Sequence, residues 1–190
     1  MKYLALGDSY TIGTCVEPHQ SYPMVFKDLM KLQKNTDVGV DIIAKRGWTT
    51  KNLLDHLPSG NDFNLVTLLI GVNDLYDGVV FEDFVSGVNQ LVDRALNFAN
   101  DSADRVRVLS IPDYTFTPFA KARELNVSKD IDRYNQVIEK ECVSRGIPFL
   151  DITSMSRRGL EEEGLIAGDE LHLSPKAYRY MAHQLYQSII

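Results

Sequence analysis

The chain has 190 residues, of which 44% are hydrophobic and 24% charged, and its formal net charge at pH 7 is -6. A chain of this size buries enough apolar surface to fold as one domain over residues 1–190, which excludes a disordered chain and a disulfide scaffold. Its 20 Lys and Arg residues stand against 26 Asp and Glu residues and form no basic run longer than a pair. This balance argues against nucleic acid as a partner, because a phosphate backbone attracts clustered cations.

The presence or absence of targeting signals indicates the cellular location, and the spacing of the cysteines indicates whether they could bind a metal. No apolar run approaches the roughly 18 residues of a membrane span, and the first residues lack the pattern of a signal peptide, so we predict a cytoplasmic protein. Secretion is the alternative if a leader has been removed before Met1. Cys15 and Cys142 match no metal-ligand spacing, and we expect both to be reduced and buried, with no metal and no cofactor. The expected partners are a small-molecule substrate and, because homodimers are the commonest oligomers, a second copy of the chain.

Short apolar runs alternate along the chain with longer stretches of helical period. This alternation predicts an α/β fold with about five parallel strands, because buried parallel strands read as continuous apolar runs separated by crossover helices. The expected strands cover residues 3–6, 38–44, 65–70, 106–110 and 147–150.

The intervening stretches carry helix start and stop signals. Ser21 and Ser174 are expected N-caps with proline in the following turn, and they begin the first and the last crossover helices. A short helix is expected from residue 49 or 50 to about residue 57, and a longer one over residues 81–99. A fourth helix begins near Ser128 and ends at Gly146, and its apolar face includes Cys142.

Polar segments lie next to the predicted strands and before the last helix, and they should converge. Ligands bind at the carboxyl ends of the strands in open parallel sheets. The segments are residues 7–10 after the first strand, 45–48 after the second, 71–74 after the third, and 169–172 before the last helix. Together they supply a serine hydroxyl, a glycine amide, a carboxamide and an Asp/His pair.

These groups suit nucleophilic catalysis. A serine hydroxyl such as that of Ser9 needs a base to take its proton, and His172 with Asp169 can provide one because the carboxylate fixes the tautomer of the ring. The negative oxygen of a tetrahedral intermediate needs hydrogen-bond donors. The candidates are the backbone amides of Ser9 and Gly47 and the side-chain amide of Asn73.

The same residues carry a family resemblance. Gly-Asp-Ser at 7–9, Gly47, Gly-Val-Asn-Asp at 71–74 and Asp-Glu-Leu-His at 169–172 occur in the order of the GDSL/SGNH hydrolases, which the chain resembles over nearly its whole length. The resemblance implies a flavodoxin-like three-layer α/β/α sandwich with helices on both faces of the sheet, and a serine esterase. It implies Ser9 as the nucleophile that forms an acyl-enzyme, Asp169 and His172 as the rest of the triad, and Ser9, Gly47 and Asn73 as the oxyanion hole. Tyr10 replaces the leucine that usually follows the serine in this family.

The substrate pocket should be built from apolar and aromatic side chains near the strand ends. The candidates are Tyr10, Trp48, Leu75, Tyr76, Tyr114, Phe116 and Phe119. This supply of aromatic rings predicts an open site for esters of small or short-chain substrates. A thioesterase, a lysophospholipase or a carbohydrate acetylesterase could use the same triad, and the sequence does not separate them.

Two alternatives come from other functional classes. Residues 9–14 are rich in hydroxyls and resemble the phosphate loop of flavodoxin-type FMN-binding modules, but Ile12 interrupts the loop and Asp169 and His172 would have no role. The other alternative is a hydrolase relative that binds esters without turnover, against which the intact triad argues. We expect Asp8 and Asp74 to hold loop amides rather than to react.

Overall fold

A computed structural model describes residues 1–60 and 62–189, and its centre is a five-stranded parallel sheet. The strand order is β2-β1-β3-β4-β5, with every neighbouring pair parallel. The strands are β1 (Lys2–Gly7), β2 (Gly39–Ala44), β3 (Leu65–Leu69), β4 (Val106–Leu109) and β5 (Phe149–Leu150). The predicted α/β fold with five parallel strands is confirmed.

The helices follow the predicted crossovers and add short turns at strand ends. They are α1 (Ser9–Ile12), α2 (Tyr22–Lys34), α3 (Thr50–Asp55), α4 (Val72–Tyr76), α5 (Phe81–Phe98), α6 (Pro118–Lys121), α7 (Ser128–Ser144), α8 (Thr153–Ser156) and α9 (Pro175–Gln187). Helix α2 packs on α9, whereas α5 packs on α3 and α7. The sheet is covered by helices on both faces, which makes the predicted α/β/α sandwich.

The core lies between the sheet and these helices. Every residue of β3 is buried, as are all residues of β1 after Lys2, which is why both strands are apolar throughout rather than alternating. On one face, Thr67 of β3 accepts or donates hydrogen bonds with the hydroxyls of Tyr3 and Tyr22, at 2.9 and 3.1 Å. On the other, the rings of Phe84 and Tyr134 stack with centroids 4.1 Å apart.

Three details differ from the sequence-based expectations. Strand β5 has two residues instead of four, and Pro148 immediately before it has no N–H to offer a ladder. Helix α3 ends at Asp55, before Leu57. The prediction that Cys15 is buried was wrong: its side chain is exposed in the loop after α1, whereas Cys142 is buried as expected.

Within residues 1–60 and 62–189, none of the helices combines the length and the apolar character that a membrane crossing needs.

Candidate active site

Ser9 is held at the carboxyl end of the central strand β1. It is the first residue of α1, and Asp8 caps that helix by accepting a hydrogen bond from the Tyr10 amide at 2.9 Å. The turn is very tight, since a Cβ at Gly7 would lie 2.1 Å from the Thr11 hydroxyl and 2.3 Å from the carbonyl oxygen of Leu69. Glycine is therefore required before Asp8, and it lets the chain turn sharply from the strand into the helix.

Gly47 lies in the turn that joins β2 to α3. Its φ of +80° is in the left-handed region that favours glycine, and its position has open space around it. The next residue, Trp48, accepts a hydrogen bond at its carbonyl oxygen from Nδ2 of Asn73, at 2.9 Å. This bond joins the loops that follow β2 and β3 and fixes the direction of the Asn73 amide.

Asp74 reinforces the junction between these two loops. Its carboxylate accepts hydrogen bonds from the backbone N–H of Thr50 at 2.9 Å and from the Thr50 hydroxyl at 2.6 Å, and it is fully buried. The expectation that Asp74 holds loop amides agrees with these contacts. Burial raises the pKa of Asp74, and the two bonds from Thr50 oppose that rise.

Asp169 and His172 form a hydrogen-bonded pair in the loop before α9. The Nδ1 atom of His172 lies 2.5 Å from a carboxylate oxygen of Asp169, and the other carboxylate oxygen accepts the backbone N–H groups of Leu171 and His172 at 3.1 and 2.9 Å. The His172 carbonyl in turn accepts from Ala167, which closes the loop. The imidazole is thus fixed by the chain that carries it, and its ring lies 5.5 Å from that of Tyr10.

One cavity collects most of the predicted site residues. It has a volume of about 270 Å³, and its wall is formed by Ser9, Tyr10, Arg46, Gly47, Val72, Asn73, Tyr76, Asp77, Tyr114, Phe119, Leu171 and His172. Ser9, Gly47, Asn73 and His172 therefore meet in one space, and Asp169 lies behind His172. Among the described residues, no hydrogen bond joins the Ser9 hydroxyl to the His172 ring; such bonds are often long in unliganded enzymes and tighten with substrate.

The cavity also contains free hydrogen-bond donors. In the part of the chain that the structure describes, neither the backbone N–H of Ser9 nor that of Gly47 is bonded to a protein acceptor. The Ser9 amide is free because it belongs to the first turn of a helix. Asn73 uses one of its two amide hydrogens on Trp48 and keeps the other. The site can therefore offer three donors to an oxyanion.

Of the seven residues expected to line the pocket, four do so: Tyr10, Tyr76, Tyr114 and Phe119. Trp48, Leu75 and Phe116 lie outside the lining. The Trp48 ring packs on His56 with centroids 4.7 Å apart, and Leu75 packs against the core. Residues one or two apart in a helical turn point in different directions, so Tyr76 and Tyr114 face the cavity whereas their neighbours Leu75 and Phe116 do not.

Sequence reasoning missed four wall residues, namely Arg46, Val72, Asp77 and Leu171. Arg46 and Asp77 are charged, and neither forms an ion pair with another described residue. Arg46 is next to Gly47 in sequence, which was the available signal for it, whereas Asp77 is the C-cap of α4, four residues after Asn73.

The carboxyl groups of the site differ in electrostatics. Complete burial, with a smaller contribution from the negative charge of Asp74, raises the pKa of Asp8 to about 7 against the opposing hydrogen bond from the Tyr10 amide. Burial also raises the pKa of Asp169, but this is outweighed by the hydrogen bonds from His172 and Leu171 and by the neighbouring Cys15 thiol. The net result is that the pKa of Asp169 lies well below its usual range.

The chain matches one family of known proteins over most of its length. The model of the GDSL-like lipase/acylhydrolase family matches residues 5–180, which is nearly the full length. The chain belongs to this family. As a GDSL-like acylhydrolase it is a hydrolase of ester bonds, and the resemblance drawn from its four sequence blocks is confirmed. No curated protein matches its sequence significantly.

Solved structures of similar shape are also esterases and lipases. An acetyl xylan esterase, AlAXEase, is 17% identical with a TM-score of 0.78, and each chain covers 100% of the other. A lipase from a goat rumen metagenome is 18% identical with a TM-score of 0.79, over 99% of this chain and 97% of that one. A lipase/acylhydrolase from Enterococcus faecalis is 18% identical with a TM-score of 0.76, over 99% and 94%. At these identities the likeness establishes the fold of this GDSL-like hydrolase.

Proposed function

We propose that the protein is a serine esterase that forms an acyl-enzyme at Ser9 and cleaves carboxylic esters of small or short-chain substrates. The observation that carries this proposal is the cavity in which Ser9, Gly47, Asn73 and His172 meet, with Asp169 bonded to His172 on the far side. A nucleophile, a base with its orienting carboxylate and a set of free donors are the groups that acyl transfer needs.

In the proposed first step, His172 takes the proton of Ser9 as the hydroxyl oxygen attacks the ester carbonyl. Because Nδ1 of His172 is bonded to Asp169, Nε2 is the nitrogen left to accept that proton. His172 then gives the proton to the leaving alcohol. Water repeats the sequence on the acyl-enzyme and regenerates Ser9.

The oxyanion of each tetrahedral intermediate would be held by the amides of Ser9, Gly47 and Asn73. Two of these donors are backbone groups that have no acceptor among the described residues, and the third is held in place by its bond to Trp48. Such preorganised donors stabilise developing charge without reorganising during the reaction. This arrangement supports turnover over the alternative of an ester-binding relative without activity.

The size and wall of the cavity support a small substrate. Its volume of about 270 Å³ lies just below the range of ligand pockets, which have volumes of roughly 300–1,000 Å³. Tyr76, at the rim, is exposed, so the site is open to solvent. We therefore expect acetyl to short acyl esters to be preferred over long chains, which would leave most of their apolar length in water.

A second candidate is a carbohydrate acetylesterase on the same residues. The rings of Tyr76, Tyr114 and Phe119 offer flat apolar surfaces, and the side chains of Arg46 and Asp77 offer hydrogen bonds to hydroxyl groups. Two of the structural neighbours are acetylxylan esterases, one of them from Geobacillus stearothermophilus. These features favour an acetyl group carried by a polyhydroxylated alcohol.

The test is hydrolysis of p-nitrophenyl esters from acetate to palmitate by the wild type and by Ser9→Ala. Ser86→Ala, at an exposed serine of α5, is the matched control. We expect Ser9→Ala to lower kcat/KM by about 10³-fold or more, Ser86→Ala to behave as wild type, and the optimum to lie at short chains. Equal turnover by Ser9→Ala and wild type would refute the nucleophile. Acetylated xylose, acyl thioesters and lysophospholipids, assayed in parallel, separate the alternatives.

A further inference from the structure

The exposed thiol of Cys15 lies beside the Asp169/His172 pair. Its Sγ, a carboxylate oxygen of Asp169 and a ring nitrogen of His172 are all within 4.8 Å of one another. Among residues 1–60 and 62–189, this is the one group of three histidine, cysteine or acidic side chains that converges in this way. Cys15 is distant in sequence from Asp169 and His172, which are three residues apart, so it is the fold that brings the thiol to this pair.

We propose that Cys15, Asp169 and His172 form a binding site for a soft divalent cation such as Zn²⁺, and that the bound cation switches off the candidate active site. The inhibition rests on the proposed function, because it requires His172 to act as a base. The binding itself does not, since it depends only on three ligand atoms and the space between them.

The three ligand atoms are of the types that zinc binds, and solvent can reach them. Thiolate sulfur, imidazole nitrogen and carboxylate oxygen are the ligands that Zn²⁺ uses, at about 2.0–2.3 Å, which places ligand atoms roughly 3.3–3.7 Å apart in a tetrahedron. The present separations, from 2.5 Å between Nδ1 and the carboxylate up to at most 4.8 Å, require shifts of only about 1 Å. Because Cys15 is exposed, a cation can enter from solvent and keep water as its fourth ligand.

Cys15 also determines which metals would bind. A carboxylate and an imidazole alone bind many divalent cations weakly, whereas a thiolate adds a soft ligand that favours zinc over the hard cations magnesium and calcium. The Cys15 thiol is the group that distinguishes this cluster from an ordinary Asp/His pair, and it has no position in the proposed reaction.

Binding of the cation would move the ring proton of His172 from Nδ1 to Nε2. The cation replaces the thiol proton of Cys15, which is released to solvent, and it takes the lone pair of Nδ1. The single proton of the neutral ring must then be on Nε2, having exchanged through water. An Nε2 that already carries a proton cannot accept one from Ser9, so the cation would block the attack without entering the substrate cavity.

The first test measures binding without using activity. Equilibrium dialysis with Zn²⁺, and the near-ultraviolet thiolate-to-metal absorption of the Co²⁺ form, are compared for wild type, Cys15→Ala and Cys142→Ala. We expect one equivalent and a thiolate band in the wild type and in Cys142→Ala. In Cys15→Ala we expect no band and an affinity weaker by at least about 10²-fold, since even residues behind the ligands contribute 10- to 100-fold. Cys15→Gly, which suits the φ of +68° at this position, is a second variant that removes the thiol.

The second test measures inhibition on the ester substrate. Micromolar Zn²⁺ should abolish hydrolysis by the wild type, EDTA should restore it, and the concentration for half inhibition should rise by about the same factor in Cys15→Ala. An unchanged affinity in both Cys15 variants, or a Co²⁺ form without a thiolate band, would overturn the site. If the wild type hydrolyses no ester, the proposed function fails, whereas dialysis and absorption still decide whether the cation binds.

Discussion

Two aspartates at the candidate site lie in environments that shift their pKa values in opposite directions. Asp8, directly before Ser9, is completely buried, and one of its carboxylate oxygens has no partner among the described residues. Asp169, before α9, is partly exposed and accepts hydrogen bonds from the ring and backbone of His172 and from the Leu171 amide. The pKa of Asp8 accordingly rises to about 7, whereas that of Asp169 falls well below its usual range.

The comparison shows that position in a motif does not determine the charge of a carboxyl group. Both residues belong to sequence blocks that identify the family. Asp8 directly precedes Ser9, and Asp169 is hydrogen-bonded to His172. What separates them is the burial of the carboxyl group, which is complete for Asp8 and partial for Asp169, together with the number of hydrogen-bond donors that each carboxylate receives. A carboxylate that stays ionised can stabilise a protonated imidazole; a buried carboxyl that is largely neutral below pH 7 can cap a helix but adds little charge.

Replacing each aspartate by asparagine should change kcat by very different amounts, and this is the largest effect that we expect. Asp169→Asn removes the charge and alters the tautomer that His172 prefers, so kcat should fall by about 10²- to 10⁴-fold. Asp8→Asn keeps an oxygen that can accept from the Tyr10 amide, and kcat should change by less than about tenfold. The measurement is p-nitrophenyl acetate hydrolysis at pH 8. Equal losses in the two variants would show that the comparison is mistaken.

Asn73 provides an uncharged reference for the two aspartates because its amide carries no charge at any pH. If the free hydrogen of the Asn73 amide points to the oxyanion, Asn73→Ala should lower kcat by about 10²- to 10³-fold with little change in KM. Asn135→Ala removes another partly buried asparagine whose amide donates to a backbone carbonyl, at Ile111, and serves as the control for general loosening of the fold. Near-full activity of Asn73→Ala would remove Asn73 from the oxyanion hole.

The smallest effect concerns stability and its dependence on pH. The folded-state pKa of Asp8, about 7, lies above the ordinary value of 3.8, so between these values the folded chain binds more protons than the unfolded chain. The contribution is fully present below about pH 4 and is lost as pH rises through 7, on the order of a few kcal/mol in the free energy of unfolding. Urea titrations at pH 5 and pH 8 should show this loss in the wild type and a smaller one in Asp8→Asn. Asp28→Asn replaces an exposed aspartate of α2 and should lose the same free energy of unfolding between pH 5 and pH 8 as the wild type.

Most of the fold could be predicted because its signals are local. The apolar runs of β1 and β3 reflect burial on both faces, and the proline-marked caps at Ser21 and Ser174 precede α2 and α9 as expected. The extent of β5 could not be predicted in the same way, because the apolar run around Pro148 is longer than the ladder it can form.

The candidate site could be predicted where residues follow strands and could not where it depends on side-chain direction. Ser9, Gly47 and Asn73 meet because parallel strands end at one edge. Trp48 is next to Gly47 in sequence, yet its ring turns to His56 and only its carbonyl serves the site. Cys15 was expected to be buried because its spacing suggested no ligand role, but it lies two residues after Gly13, which ends α1 with a φ of +81°, and its side chain is exposed.

The distance in sequence between Ser9 and His172 has a consequence for synthesis on the ribosome. Ser9 follows the first strand, and His172 immediately precedes the last helix, so the cavity between them cannot close until all five strands have been made. A nascent or truncated chain that stops before residue 172 carries the serine without its base. The complete cavity therefore requires synthesis of the chain through His172 and folding of the sheet, and two fragments divided at the exposed turn near residue 123 could reconstitute it only by reassembling the sheet.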